Sequence, residues 1–197
     1  MTGILLAGGK SKRMGIDKAF IDFRGKKLYE YPLDILRELC SEVIISSSER
    51  RFENTGHDVV PDKINDIGPI GGIYTCLRKI KDDKALVMSC DIPFISIDFI
   101  RLLSARSGNY DITIGINKNK QPEPLAGIYN KRILKNIEEQ IHSKNYRINS
   151  LFENLHVKLI DPQTIGQDPD ELFFNVNHSS DLIEGKKRYI TWNRKKI

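Results

Sequence analysis

Ile4-Leu5-Leu6-Ala7-Gly8-Gly9-Lys10-Ser11-Lys12-Arg13-Met14-Gly15-Ile16-Asp17-Lys18 starts as a short apolar run and turns abruptly into glycines and cations. The apolar part reads as a buried strand and the remainder as a loop of phosphate size. Gly8 and Gly9 carry no Cβ, so a ligand can come close to the backbone and its N–H groups can face an anion. Lys10, Lys12, Arg13 and Lys18 add positive charge around the same turn, and polyphosphate is the guest this predicts. Lys18, read as a loop lysine, is expected to be solvated. The familiar phosphate motifs do not fit: neither G-x-x-x-x-G-K-[ST] nor G-x-G-x-x-G is present here.

Outward from this stretch the chain alternates strand and helix patterns. A short extended segment over 19–23 and a turn at Arg24-Gly25-Lys26 precede a helix carrying Leu28, Tyr31, Leu33, Ile35, Leu36 and Leu39, with Pro32 early enough for a first turn. Val43-Ile44-Ile45 reads as a second buried strand. Ser46-Ser47-Ser48 follows, as ligand contacts or as a plain strand end. Asp58-Val59-Val60-Pro61-Asp62 reads as an edge strand, because proline cannot donate to a central ladder. Asp66-Ile67-Gly68-Pro69-Ile70-Gly71-Gly72 is a tight turn feeding a helix through Ile73, Leu77 and Ile80. Its first amides either face a ligand or simply pack on the sheet.

Ala85-Leu86-Val87-Met88-Ser89-Cys90 is the clearest central strand and runs into Asp91-Ile92-Pro93. A carboxylate therefore stands at the strand's C-terminal end, the edge where open α/β sheets bind ligands. A helix over 97–103, a strand over 111–116, a polar loop at 117–121 and the segment 123–129 follow. Then come an amphipathic helix over 131–142, a short helix after Arg147, a strand over 157–160, an irregular stretch from Asp161 to Glu171, and a last helix capped by Ser179-Ser180-Asp181-Leu182. The pattern predicts a single three-layer α/β/α domain over 1–197 with a mostly parallel sheet and helices on both faces.

With 197 residues, 40% of them hydrophobic, the chain can bury a real core. Its net charge of +5 and pI near 9.0 suit a protein that handles anions without choosing among them. Part of that charge lies in Lys186-Lys187-Arg188 and Arg194-Lys195-Lys196, read as a basic C-terminal tail over about 186–197. No apolar run approaches the roughly 20 residues of a membrane span, and the N-terminus lacks the regions of a signal peptide, so a cytoplasmic protein is expected. Cys40, Cys76 and Cys90 are scattered and odd in number, which predicts buried thiols rather than disulfides or a zinc site.

The opening stretch resembles the L-A-G-G-x-S-x-R-M-G-x-D-K signature of nucleotidyltransferases with a Rossmann-like sheet, in particular the molybdenum cofactor guanylyltransferase family. Gly68-Pro69-Ile70-Gly71-Gly72 is similar to that family's G-P-L-A-G turn and Cys90-Asp91-Ile92-Pro93-Phe94 to its C-D-x-P-[FY]. Glu123-Pro124-Leu125-Ala126-Gly127-Ile128-Tyr129 matches its P-x-x-A strand, and Phe174-Asn175-Val176-Asn177 its late F-x-N-[IV]-N. Two departures stand out: Ser46 replaces a common Asn, leaving its nucleotide contact weaker or carried through water, and His178-Ser179-Ser180 replaces T-P-E, leaving His178 without a clear role.

The resemblance implies that Leu6, Ala7, Gly8 and Gly9 line the guanosine nucleotide with Ser46 and Asp62, that Lys18 and Arg13 face its phosphates, and that Asp91 holds Mg²⁺. Arg147, Asn175 and Asn177 fall on the acceptor side. The implied reaction is GMP transfer from GTP to the terminal phosphate of molybdenum-molybdopterin. That acceptor is already largely anionic at pH 7, its second pKa being about 6, so no dedicated general base is needed. Pterin-delivering or molybdoenzyme partner proteins would accompany it, with no nucleic acid and no membrane. Alternatives are a cytidylyltransferase acting on the same pterin, a sugar-phosphate nucleotidyltransferase, for whose usual insertions this chain has little room, and a basic nucleic-acid-binding protein indifferent to Asp91.

Overall fold

The computed structural model describes residues 1–8, 17–61, 64 and 67–194. Gly9, Arg13 and Asp62, all expected in the site, lie outside them. Among the described residues a seven-stranded sheet runs in the order β5-β4-β1-β6-β8-β7-β9. These strands are β1 (Thr2–Leu6), β4 (Glu42–Ser46), β5 (Asp58–Val60), β6 (Lys84–Ser89), β7 (Ile112–Ile116), β8 (Pro122–Asn130) and β9 (Val157–Ile160). A small antiparallel pair, β2 (Asp22–Phe23) with β3 (Lys26–Lys27), stands apart. The helices are α1 (Glu30–Leu39), α2 (Pro69–Lys79), α3 (Ile97–Arg106), α4 (Leu134–His142), the single-turn α5 (Pro169–Leu172) and α6 (Ser179–Arg194).

Side-chain alternation along the strands builds two cores. Leu5, Ile45, Leu86 and Met88 point to one face and pack with Leu33 and Leu36 of α1 and with Phe99 and Leu103 of α3. Ile4, Leu6, Ile44, Ala85 and Val87 point to the other, against Ile70, Ile73 and Leu77 of α2 and Ile137 of α4. Because helices cover both faces, the central strands are continuous apolar runs, and every residue of β1 is buried. The three-layer, mostly parallel sheet is thus as the pattern predicts.

Three segments differ from the sequence reading. β8 runs antiparallel to both β6 and β7, because the polar 117–121 loop is a hairpin rather than a crossover. Asn117 closes it, its Oδ1 accepting from the amides of Asn119 (2.9 Å) and Gln121 (3.1 Å). The stretch from Asp161 to Glu171 is not irregular: a 3-10 turn at Pro162–Ile165 and α5 occupy it, each capped by an aspartate side chain. Lys186, Lys187 and Arg188, expected as tail, belong to α6, whose Tyr189 and Trp192 pack on a third cluster. Among the described residues no helix is long and apolar enough to cross a membrane.

Candidate functional site

Strand order places the site. From β1 the chain moves outward to β4 and β5, then returns across α2 to β6 on the other side of β1, so the connections reverse between β1 and β6. At such a switch point the loops leaving neighbouring strands diverge and open a crevice beyond their C-terminal ends. The Cys90 amide donates to the Leu6 carbonyl at 3.1 Å and the Ala7 amide to the Ser46 carbonyl at 3.0 Å, which carries the ladder to the crevice's rim. Gly8 is exposed just beyond.

Asp91 stands on this rim with its side chain 6% exposed, and Lys18 ion-pairs with its Oδ2. Lys18 Nζ also donates to Asn177 Oδ1 at 3.0 Å. Lys18 is therefore not the solvated loop lysine expected from sequence: it starts a 3-10 turn, Lys18–Phe20, capped by Asp17, and is only 18% exposed. Asp91 Oδ1 and Asn175 Oδ1 are buried and have no hydrogen-bond partner among the described residues. A buried acceptor left unpaired costs about 1–3 kcal/mol, so each of these oxygens is suited to a donor or a cation.

A third hydrophobic cluster fixes the segments that meet here. Phe23, Leu28, Phe94 and Val176 are its buried members, with Tyr31, Phe174, Leu182, Tyr189 and Trp192 packed around them. Lys18 lies five residues before Phe23, Asp91 three before Phe94, and the two asparagines flank Val176. The Val176 amide donates to the Asp91 carbonyl at 2.9 Å, tying two of these segments directly. Asp181, in the first turn of α6, accepts from the amides of Asn177 (3.0 Å) and His178 (2.8 Å), so this carboxylate, rather than the neighbouring serines, caps the helix.

Other expected residues fall as follows. Leu6 and Ala7 end β1 at the crevice and are buried. Ser46 ends β4 beside them and is 1% exposed. Ser47 Oγ donates to the Ala7 carbonyl at 3.2 Å and accepts from the Glu49 amide at 3.1 Å, which makes it a structural brace of the strand end. Arg147 is exposed and caps a 3-10 turn over Ile148–Asn154; its backbone amide donates to Asn145 Oδ1, and its carbonyl accepts from Gln140 Nε2 and the Ser150 amide. At Gly71 a Cβ would lie 2.9 Å from Ile67 Cγ1, so the glycine lets Ile67 pack against the first turn of α2.

Sequence reading missed two features near the rim. Asp17 pairs with Arg51 at 3.2 Å, and the Arg51 guanidinium lies 3.9 Å over the Phe20 ring; burial pushes the Asp17 carboxyl up, against the opposing pull of the Ala19 amide and Arg51. Glu123 lies on the part of β8 that runs past the end of β6, accepts from Asn117 Nδ2 at 2.9 Å, and has its carboxyl pushed up by burial. Burial likewise raises the Cys90 thiol beside Asp91, so it stays protonated. Cys76 is buried and Cys40 half-buried, and no disulfide joins any of the three cysteines.

An open, mostly parallel sheet with a lysine and a buried carboxylate at its switch point has the form of a nucleotide-binding α/β domain. A family model described as a MobA-like NTP transferase domain matches residues 3–159. The chain belongs to this family. It is 36% identical over 188 residues to a probable molybdenum cofactor guanylyltransferase of Bacillus subtilis, covering 91% of each chain. It is 32% identical to one of Pelotomaculum thermopropionicum, over 94% of this chain and 91% of that one. The crystal structure of molybdopterin-guanine dinucleotide biosynthesis protein A from Archaeoglobus fulgidus shares the fold, with a TM-score of 0.80 over 97% of this chain and all of that one at 22% identity.

Proposed function

We propose that this protein transfers GMP from GTP to the terminal phosphate of molybdenum-bearing molybdopterin, forming molybdopterin guanine dinucleotide and pyrophosphate. Family membership and the names of its relatives support the substrate pair. The observation that carries the chemistry is Lys18 held between Asp91 and Asn177 at the switch point. Such an arrangement suits alignment and charge compensation rather than proton abstraction, in keeping with an acceptor phosphate that is already anionic.

In this reading the nucleotide lies along Leu6, Ala7 and the exposed Gly8 beside Ser46; Gly9 and Asp62, assigned to it by the resemblance, lie outside the described residues. Lys18 offsets the charge that develops on the leaving pyrophosphate, and the resemblance assigns Arg13, which lies outside the described residues, the same role. Arg147, Asn175 and Asn177 are assigned to the acceptor, as the resemblance implies. Asp91 Oδ1, an orphaned carboxylate oxygen, fits a hard cation such as magnesium, which takes one or two carboxylates and fills its remaining positions with water and substrate phosphates. Magnesium bound there would neutralise phosphate charge and orient the reacting oxygens. A cofactor-building reaction that draws on GTP suits a protein of the cytoplasm.

The test is thermal stabilisation by GTP, CTP, ATP and UTP with and without magnesium. GTP with magnesium is expected to raise the melting temperature most, and Asp91→Asn to remove the magnesium-dependent part while the fold persists. A clear preference for CTP would transfer the assignment to cytidylyl transfer. Magnesium dependence unchanged in Asp91→Asn would end the role given to that carboxylate.

A further inference from the structure

Glu123 is a half-buried carboxylate that the chemistry above leaves unused. Its Oε1 accepts from Asn117 Nδ2, while Oε2 is accessible and meets no donor among the described residues, none of whose cations is paired with it. Asn117 Oδ1 is held in turn by the amides of Asn119 and Gln121, so the hairpin fixes the carboxyl in place. The pairing of β6 with β8 ends at Met88–Ala126, and Asp91 and Glu123 each lie three residues further on, past the same end of the sheet. Across the other ladder Glu123 stands opposite Gly115, and residues directly opposite share a face. On that face the half-buried Phe173 ring fills the space a Gly115 Cβ would take, its Cζ 2.3 Å from that position, with its centroid 5.6 Å from that of Phe99. Ala19, Cys90 and Ile92, the chain neighbours of Lys18 and Asp91, belong to the same core as Phe99 and Phe173.

Resting on the nucleotidyl-transfer reading, we propose that Glu123 and Phe173 select the acceptor's planar ring, the carboxylate taking its amino-pyrimidinone edge and the phenyl ring packing against its face. A carboxylate repels phosphate and suits a group that presents N–H donors. Two adjacent N–H groups on an amino-pyrimidinone match its two oxygens much as a guanidinium does. The aromatic neighbour favours a flat partner over a flexible amine. Guanine and a pterin share this edge, so position decides between them. The nucleotide lies along β1 and β4, whereas β8 is two strand spacings from β1 on the far side of β6, roughly 10 Å away. The ring bound at Glu123 is therefore the acceptor's.

The experiment follows the fluorescence anisotropy of 6-hydroxymethylpterin monophosphate on the full-length protein, beside its lumazine counterpart, in which an oxygen replaces the 2-amino group. Parent protein is expected to bind the pterin ~10-fold or more tightly than the lumazine, on the scale of a charged hydrogen bond lost. Glu123→Gln is expected to abolish that preference, because a carboxamide can donate to the lumazine oxygen, while its stabilisation by GTP stays as in the parent. Phe173→Leu, which keeps bulk beside Gly115 and Phe99, is expected to weaken both probes alike and preserve their ratio. Equal binding of the two probes by the parent, no saturable pterin binding, a preference that survives in Glu123→Gln, or parent affinities in Phe173→Leu overturns the assignment and leaves the transferase reading intact. Loss of GTP stabilisation in Glu123→Gln would give the carboxylate to guanine and overturn it too. A parent protein that GTP does not stabilise would instead defeat the transferase reading itself, and this inference with it.

Discussion

Glu123 shows how a single buried charge sets a pH dependence. Burial raises its carboxyl above the ordinary glutamate value, with the Asn117 amide pulling the other way. A carboxyl whose folded pKa is raised favours the folded state when protonated, so its contribution is complete below the unfolded value and is lost as pH rises through the folded one. At pH 7 the ionised side chain therefore weighs against folding. Glu123→Gln keeps an oxygen to accept from Asn117 Nδ2 and removes that burden. The variant is expected to melt higher than the parent at pH 7, with the difference vanishing as pH falls below the carboxylate range. A difference that stays constant across that range, or an opposite sign at neutral pH, would reject burial as the cause. Glu123 was visible in the sequence only as the first residue of a family motif, because nothing local shows that β8 outruns β6.

At the scale of elements, two glycines are required for opposite reasons. Gly115 lies in β7 opposite Glu123, where the ladder is bulged, and a Cβ there would come within 2.3 Å of Phe173 Cζ and 2.8 Å of Phe99 Cζ. Gly68 has open space around its Cβ position, yet its φ of 72° with ψ of −160° falls in a region that is essentially glycine's alone. Alanine at either position is expected to cost about 1–3 kcal/mol, from overpacking at 115 and from backbone strain at 68. Urea unfolding separates the two: Phe173→Leu should relieve part of the Gly115→Ala loss in a double-mutant cycle and leave the Gly68→Ala loss untouched. Purely additive behaviour at both sites would sink the steric account of Gly115. The glycine of the α2 turn was legible from its Gly-Pro punctuation. Gly115 was not, since its need arises from a phenylalanine 58 residues later.

For the whole molecule, the third cluster is the keystone that joins the C-terminal helix to the site. Phe94 is fully buried, with its ring centroid 5.9 Å from that of Phe23, 5.7 Å from Phe174 and 5.6 Å from Trp192. Phe94→Ala should cost about 3–5 kcal/mol. Trp192 is the chain's single tryptophan, so its emission reports directly on the docking of α6 and is expected to shift to longer wavelength in this variant. Because Val176 and Phe174 share the cluster, GTP-dependent stabilisation should weaken as well. Unchanged emission together with parent stability would show that α6 is held by other contacts.

The local sequence determined the elements and the edge of the sheet that carries the site. Apolar runs at 4–6, 43–45 and 85–90 specified buried parallel strands, and a carboxylate directly after the strongest of them marked the ligand edge, because period and burial are encoded within a few neighbouring residues. The opening loop's chemistry and the late Asn-Val-Asn were legible as well. What only the tertiary structure decided was which of these groups meet. The pairing of Lys18 with Asp91 and Asn177 spans 73 and 159 residues, and it depends on strand order and on an aromatic cluster assembled from four separate segments. Strand order of this kind follows from which faces can be buried together, and no window of local sequence contains that information. The same holds for the basic C-terminal residues: their charge suggested a solvated tail, but the spacing of Tyr189 and Trp192 gains meaning only against Phe23 and Phe94, where burial turns the segment into a helix.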